Sequence, residues 1–164
     1  MKRTMIFLVS VLLFACSENP MPSPTPVALP TTRLSADAEM QAASEQARDT
    51  LDVFLQQIET PRSDRTRIAV KVRVYPPGEL PQDIWVDQVT YADGSLRGTM
   101  GDDIPLLRLS IGDKIRVAQK DVVDWMIVEN GKMIGGYTIR LALQRMSPAE
   151  KQRFLEAIDY SIEE

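Results

Sequence analysis

The chain contains no histidine and a single cysteine, Cys16. A serine–histidine–aspartate triad, a cysteine–histidine pair and a histidine-ligated zinc site all need an imidazole, so the sequence excludes these centres. No Asp-x-Asp-x-Asp-Gly pattern for a hard cation occurs either. A lone cysteine cannot close a disulfide within the chain, so the fold depends on its apolar core. We therefore expect no bound metal and no cofactor.

Positive charge is also in short supply. The chain has 19 Lys and Arg against 23 Asp and Glu, with a formal net charge of -4 and a pI near 5.0. Because nucleic-acid-binding proteins neutralise phosphates with clustered basic residues, we expect no nucleic-acid partner. No internal repeat is visible. The length of 164 residues, with 44% hydrophobic residues, fits one domain with an extension at one end.

The first residues predict export and membrane attachment. Residues 1–15 have a basic start, an apolar run and a small residue at the end, which is the layout of a secretory signal. The apolar run is too short to cross a bilayer, which takes roughly 20 residues. The segment Leu13-Phe14-Ala15-Cys16 resembles the lipobox of bacterial lipoproteins. This resemblance implies cleavage before Cys16 and acylation of Cys16 with chains such as palmitate, and Ser17 after it implies the outer membrane, facing the periplasm.

A proline-rich segment follows the predicted lipid anchor. Residues 16–34 combine Cys16 with five prolines among Ser, Thr and small residues, which disfavours helix. At about 3.1 Å per residue in polyproline II, this segment is a tether that holds the domain up to roughly 50 Å from the lipid surface. The alternative is a proline-rich ligand for a partner's groove. Residues 35–164 are then the folded domain.

Helical periodicity begins and ends this domain. Ser35 is a predicted N-cap, and apolar residues recur at three- and four-residue spacing from Met40 to Ile58, which predicts one amphipathic helix of about six turns. A partner-binding or membrane-surface helix is the alternative for this segment. Ser147-Pro148-Ala149-Glu150 forms a capping-box pattern before a final helix. In this helix, Phe154, Leu155, Ile158 and Ile162 are predicted to face inward.

The intervening residues alternate with the period of strands. The predicted strands are 67–74, 84–91, 95–100, 114–119 and a final hairpin whose strands flank Asn130-Gly131. Its second strand is predicted to span Met133 to Leu143, with Gly135-Gly136 as a bulge. In the second strand, Trp85, Asp87, Val89 and Tyr91 are placed on one face, and Gly98 in the third marks a bulge or a close backbone approach. The fold class is therefore α+β, a mostly antiparallel sheet of about five or six strands with an N-terminal and a C-terminal helix.

Several short pieces of the sheet region resemble the YegJ-like family of bacterial proteins, known as domain of unknown function 2314. They are Ile84-Trp85-Val86, Gly98, Gly112-Asp113, Asp124-Trp125-Met126 and Gly135-Gly136-Tyr137-Thr138-Ile139-Arg140. The resemblance is centred on residues 66–145, and Leu96 stands where the family favours an aromatic residue ahead of Gly98. It implies a small α+β domain with no established activity.

The candidate binding residues are those that carry this resemblance: Trp85, Asp124, Trp125, Tyr137, Thr138 and Arg140. The two tryptophans are either an aromatic floor for a ligand or core residues. Asp124 and Arg140, if a bulge brings them together, form either a structural ion pair or a recognition site in which the Arg140 fork binds an anionic group. Two acid pairs, Asp102 with Asp103 and Asp121 with Asp124, are the sites where a two-carboxylate hydrolysis is conceivable.

Together these features predict a non-catalytic, lipid-anchored periplasmic domain that binds a protein or another envelope component, as an inhibitor or accessory factor. The alternative is a hydrolase-like or small-ligand-binding domain that uses Asp124, Tyr137 and Arg140. The sequence leaves the oligomeric state open.

Overall fold

Alternating apolar residues build a six-stranded antiparallel sheet in the order β4-β3-β2-β1-β5-β6. The structure is a computed structural model that describes residues 38–163, so Cys16, the tether and the Ser35 cap lie outside the described residues. The strands are β1 (Arg65–Val74), β2 (Gln82–Ala92), β3 (Ser95–Met100), β4 (Lys114–Val117), β5 (Val122–Glu129) and β6 (Lys132–Gly135). Together with four helices they confirm the α+β class.

The predicted six-turn helix is in fact two helices, α1 (Ala38–Asp49) and α2 (Leu51–Glu59). The break falls at Thr50, whose hydroxyl donates to the carbonyls of Gln46 (2.9 Å) and Ala47 (3.2 Å). Threonine hydroxyls that bond the preceding turn bend or interrupt helices, which gives a local cause for the break. The later helices are α3 (Tyr137–Arg145) and α4 (Pro148–Glu156). In the described part of the chain, no helix has the length and apolar character needed to cross a bilayer.

The main core lies between the sheet and the two N-terminal helices. The apolar stripe of α1 and α2 packs on the face of β1 that carries Val70 and Val72, which confirms the alternation predicted for that strand. Phe54 and Ala47 are fully buried in this layer. Fully burying a side chain of the size of Phe54 contributes about 1.5–3 kcal/mol, so this layer stabilises the fold substantially.

A bulge in β2 changes the face that its side chains occupy. The pairing with β3 shifts between Asp87 and Thr90, and Gln88 adopts a φ of 53°. Beyond the bulge Val89 lies in the main core, on the same face as Ile84 and Val86. The predicted alternation of β2 is therefore wrong after Asp87, because the bulge inserts one extra residue and reverses the order of faces.

The structure confirms the close backbone approach predicted at Gly98, where β3 lies against β2. A Cβ at Gly98 would lie 2.5 Å from Cγ1 of Val86 and 2.9 Å from the carbonyl oxygen of Asp87. We predict that Gly98→Ala lowers the free energy of unfolding by about 1–3 kcal/mol, because overpacking forces a shift of the neighbouring strand. Urea unfolding measures this loss. Thr90→Ala, an exposed position on the adjacent strand, is the control with a change of about 0.5 kcal/mol, and an equal loss in both variants would contradict the close approach.

The turn of the final hairpin is confirmed, but its second strand is much shorter than predicted. Asn130 and Gly131 both have positive φ, 51° and 71°, as the turn requires. The predicted strand from Met133 to Leu143 is wrong, since β6 ends at Gly135 and α3 begins at Tyr137. Gly135 and Gly136, at φ of 76° and 67°, take left-handed conformations that end the strand and start the helix. The glycine pair is thus a strand-to-helix junction and not a bulge.

The C-terminal residues cover part of the second face of the sheet. Ser147 caps α4 with the predicted capping box, which is confirmed. The helix ends at Glu156, however, and Leu155 is 40% exposed, so the inward assignment of Leu155 is wrong. Beyond α4 the chain returns to the sheet, where the carbonyl of Ser161 accepts from the Met133 N–H at 2.9 Å. Tyr160 and Ile162 there join a small cluster with buried Ala69, Met126 and Met133.

Candidate functional site

Asp124 is the centre of the polar cluster around the strand-to-helix junction. Its side chain is fully buried on β5. One carboxylate oxygen accepts from the N–H groups of Trp125 (2.8 Å) and Tyr137 (3.2 Å). The other accepts from the N–H (2.8 Å) and the hydroxyl (2.6 Å) of Thr138. A buried carboxylate with four donors satisfies the requirement that buried charges be hydrogen-bonded.

This carboxylate caps helix α3 from a neighbouring strand. The first turn of a helix leaves its N–H groups without partners, and a negative charge there is favoured by the helix dipole. The N-cap residue of α3 is Gly136, which has no side chain to supply the acceptor. Asp124 takes that role for the N–H groups of Tyr137 and Thr138. The residue therefore fastens α3 to the sheet.

Lys71, on β1, also belongs to this cluster. It is not among the candidate residues predicted from the sequence. In the sheet it lies opposite Trp85 of β2 and Asp124 of β5. Its ammonium donates to the Thr138 hydroxyl at 2.5 Å and lies 4.9 Å from the centroid of the Trp85 ring. The only sequence signal is its place between two β1 positions that face the core. A cation over an indole face is stabilised by the ring quadrupole.

Burial disfavours the charged forms of both partners. It lowers the pKa of Lys71, although the negative charges of Asp124 and, to a smaller extent, Asp83 act to raise that pKa. Burial also raises the pKa of Asp124, against the hydrogen bonds from Thr138 and the attraction of Lys71. Each group therefore depends on the other and on Thr138, because removing one partner leaves an uncompensated polar group inside the protein.

Trp125 points to the opposite face of β5, into the main core. Its ring stacks on Phe54, with centroids 5.1 Å apart, and meets Tyr137 edge-on at 5.9 Å. Its indole N–H donates to the carbonyl of Ala47 (3.0 Å) and to the hydroxyl oxygen of Thr50 (3.1 Å). Thr50 also bonds the Tyr137 hydroxyl at 3.0 Å. Trp125 and Tyr137 thus tie the junction to α1 and α2, while Trp85 lies on the other face.

Arg140 does not pair with Asp124. Its guanidinium donates to the carbonyls of Gly135 and Met133, both at 3.0 Å, and to the carbonyl of Glu163. These partners are available because α3 starts directly after β6 and places Arg140 over the end of that strand. The ion pair considered from the sequence is therefore not formed, and Arg140 holds the C-terminal residues against the junction.

A surface groove between α1 and α3 brings two of the candidate residues together. It has a volume of about 470 Å³ and is lined by Tyr137 and Arg140 together with residues of both helices: Glu39, Ala42, Ala43, Gln46, Leu141 and Gln144. Asp124 and Thr138 are not among its lining residues. The structure therefore divides the six candidate residues among a buried cluster, the main core and this groove.

Three of the four carboxylates in the two acid pairs make other contacts in the structure. Asp103 accepts the N–H of Ile111 at 2.7 Å within its loop, and Asp121 pairs with Lys120 at 3.0 Å. Asp124 belongs to the buried cluster, so it is not free to act with Asp121. Within residues 38–163, no group of three acidic or thiol side chains is arranged to hold a metal ion.

Comparison with known proteins agrees with the family resemblance of the sequence motifs. The family model described as "Uncharacterized protein conserved in bacteria (DUF2314)" matches residues 37–161. "Uncharacterized protein YegJ" of Escherichia coli (strain K12) is 29% identical over 101 residues, covering 61% of this chain and 64% of that protein. A putative ankyrin repeat protein of Neisseria meningitidis serogroup B is 28% identical over 127 residues, covering 71% of this chain and 49% of that protein.

The chain thus spans between about half and two thirds of the length of these relatives. No solved structure matches it significantly. The family match covers α1 through the C-terminal segment, and it contains the buried cluster and both glycines of the junction. The chain belongs to the DUF2314 family of bacterial proteins.

Proposed function

We propose that the protein is a lipid-anchored, periplasmic, non-catalytic domain that binds a protein partner as an accessory envelope factor. The observation that carries this proposal is that the polar side chains of the candidate site are buried and hydrogen-bonded within the fold. Asp124 is fully buried with four donors, and Thr138 is 3% exposed. A general acid or base must reach the proton that it transfers, so these groups favour a positioning role over catalysis. The lipid anchor at Cys16 rests on the lipobox-like sequence.

Exposed apolar side chains favour one end of the sheet as the binding surface. Four large apolar residues on two loops are more than half exposed: Tyr75 (66%), Leu80 (77%), Leu106 (51%) and Ile111 (65%). The loop of residues 75–81 follows β1, and the loop of residues 101–113 follows β3. Both leave the sheet at the same end, because Val74 pairs with Gln82 and Met100 pairs with Val86. We call these four side chains the loop surface.

The longer of the two loops is held in one conformation by its own hydrogen bonds. Ile104 and Leu109 exchange two backbone bonds of 2.8 and 3.2 Å, and buried Ile104 anchors the loop to the core. Asp113 accepts the N–H of Ser110 at 2.8 Å, and its backbone pairs with Met100 at 2.9 Å. A loop ordered before binding loses less entropy when it binds. This order favours recognition over a mere connecting role.

The partner that fits this surface is a protein segment with apolar side chains. Clustered exposed apolar groups on a folded domain are typical of protein interfaces, and such groups gain free energy by leaving water. The tether of residues 16–34 would give the domain reach within the envelope, with the loop surface available to a neighbouring protein.

We predict that Leu80→Ser with Ile111→Ser abolishes crosslinking of the protein to its partner in intact cells. The physical reason is the loss of two exposed apolar anchors, each contributing about 1.5–3 kcal/mol when fully buried. The measurement is the yield of crosslinked species after a short-arm crosslinker is applied to the envelope. Val53→Ser with Leu155→Ser is the control, since these side chains are 50% and 40% exposed on helices. Equal yields from both double variants would refute the loop surface as the interface.

A second function, small-ligand binding, is favoured by one observation: the groove between α1 and α3 that Tyr137 and Arg140 line. Its volume of about 470 Å³ is in the range of ligand pockets. This function is tested by titrating a fragment library into the protein and recording the NMR chemical shifts of Ala43 and Leu141. Shifts confined to these groove residues would favour this function over the protein interface.

A further inference from the structure

The outer face of β2, β3 and β4 carries a cationic groove that neither the proposed interface nor the buried cluster uses. The groove has a volume of about 430 Å³. Its charged lining residues are Arg97, Lys114 and Arg116, and its neutral ones include Gln88 and Thr90. Within the described part of the chain no acidic side chain lines it. This composition is notable in a chain whose formal net charge is -4.

Two of these cations face each other without a counter-charge. Arg97 of β3 lies directly opposite Arg116 of β4 in the sheet register, and both side chains are exposed. Neither guanidinium has a hydrogen bond or an ion pair within residues 38–163. Like charges directly across an antiparallel pair disfavour the folded state. The arrangement is therefore one that folding alone does not explain.

Other arginines of the same sheet are neutralised. Arg67 pairs with Asp87 at 2.6 Å, and Arg73 pairs with Asp83 at 2.8 Å. Arg65 pairs with Glu129 at 2.8 Å. The sheet thus separates into a region where each guanidinium has a carboxylate and a region, at β3 and β4, where two guanidiniums have none. The unpaired region coincides with the groove.

The bulge in β2 directs a further polar side chain toward this cationic region. Gln88 takes a φ of 53°, a conformation that non-glycine residues rarely adopt. Its amide oxygen accepts from the Thr99 hydroxyl (3.1 Å) and from the Lys114 ammonium (3.2 Å). Lys114 also donates to Thr99 at 2.5 Å. The bulge therefore helps to position the Lys114 ammonium beside the two arginines, and bulges commonly re-aim side chains at binding sites.

We infer that this groove binds a phosphoryl group that carries more than one negative charge. Two guanidinium forks match the oxygens of a phosphate bidentately, and the ammonium adds a point charge. Three cations without a counter-ion exceed the single charge of one carboxylate, so a phosphomonoester or a pyrophosphate is the better match. Such groups occur in soluble phosphate compounds and in lipids whose headgroup ends in a phosphomonoester, such as phosphatidic acid. The inference is independent of the proposed protein interface.

The test uses the full chain with Cys16→Ala, so that no acyl chain holds it on vesicles. One arm titrates pyrophosphate into the protein by calorimetry at low ionic strength. The other compares flotation with phosphatidylcholine vesicles that contain or lack phosphatidic acid, whose headgroup is a phosphomonoester. We expect Arg97→Gln with Arg116→Gln to weaken pyrophosphate binding by at least about tenfold, because two charge-assisted contacts are lost. The control is Lys120→Gln with Arg153→Gln, which makes the same charge change at exposed positions outside the groove.

The two arms separate the sources of the phosphoryl group. Pyrophosphate binding that the groove variant alone loses assigns a soluble phosphate ligand. Flotation that depends on phosphatidic acid and that this variant alone loses, without pyrophosphate binding, assigns a lipid headgroup. The proposal is overturned if the protein binds neither probe or if the groove and control variants weaken binding equally.

The melting temperature of the groove variant distinguishes a binding role of the two arginines from a structural role. Removing two opposed like charges is expected to leave the melting temperature unchanged or to raise it. A melting temperature that falls below that of the control variant would show that the arginines serve the fold, and would also overturn the proposal.

Discussion

Asp124→Ala is expected to lower the free energy of unfolding by about 3–5 kcal/mol, the largest loss of any single polar substitution in the protein. The variant removes the acceptor for the N–H groups of Trp125, Tyr137 and Thr138 and leaves the half-buried Lys71 ammonium without its counter-charge. Unsatisfied donors and an unpaired cation that are shielded from water both oppose folding. Urea unfolding followed by tryptophan fluorescence measures the loss, and α3 is the element expected to detach first.

Asp121→Ala is the matched control for this prediction. Asp121 is also an aspartate and lies just before β5, but within residues 38–163 its ion-pair partner is Lys120, whose side chain is 83% exposed. Surface pairs of this kind contribute about 0–1 kcal/mol. If Asp124→Ala costs no more than about 1 kcal/mol beyond this control, Asp124 does not fasten the helix to the sheet as the hydrogen bonds indicate.

Gly135→Ala is expected to have the second-largest effect, a loss of about 3 kcal/mol or more. A Cβ at this position would lie 2.4 Å from the carbonyl oxygen of Trp125 and 2.6 Å from Cε3 of its ring. Because Trp125 packs against Phe54 in the main core, neither the backbone nor the ring can move away at little cost. The φ of 76° adds strain for any residue with a Cβ.

Gly131→Ala is the control that separates the two causes of the loss expected for Gly135→Ala, the clash with Trp125 and the strain of a positive φ. Gly131 has a similar φ of 71°, but a Cβ there would meet nothing within 4 Å. Its expected loss is about 1–2 kcal/mol, the conformational penalty alone. Chemical denaturation of the two variants side by side measures the difference. Equal losses would mean that the contact with Trp125 does not require a glycine.

The sequence predicted those parts of the fold whose signals are local. Strand alternation in β1, the Asn130-Gly131 turn and the capping box at Ser147 depend on residues adjacent in the chain, and all three are confirmed. The sequence predicts a bulge at Gly135-Gly136, because a glycine within a strand often marks one. The actual use of this glycine pair as a strand-to-helix junction depends on a carboxylate from β5, eleven residues before Gly135 in the sequence.

The candidate site was only partly accessible from the sequence for the same reason. The family resemblance predicts Asp124 and Thr138 as site residues, but their partner Lys71 belongs to β1 and comes beside them only through the strand order β2-β1-β5. The sequence predicts a strand at Arg140, whereas the structure has helix α3 there, and the helix directs Arg140 toward Met133 and Gly135. Contacts between strands distant in the chain leave no periodic signal that could show them.

We propose that the protein acts through the loop surface, while the Asp124 cluster serves the fold. The most direct test of this proposal is to place a photoreactive amino acid at Ile111 and, separately, at Val53, and to irradiate intact cells. We expect one defined protein adduct from position 111, which is lost when Leu80→Ser is added, and none from position 53. The absence of any adduct at position 111, or the same adducts from both positions, would contradict it.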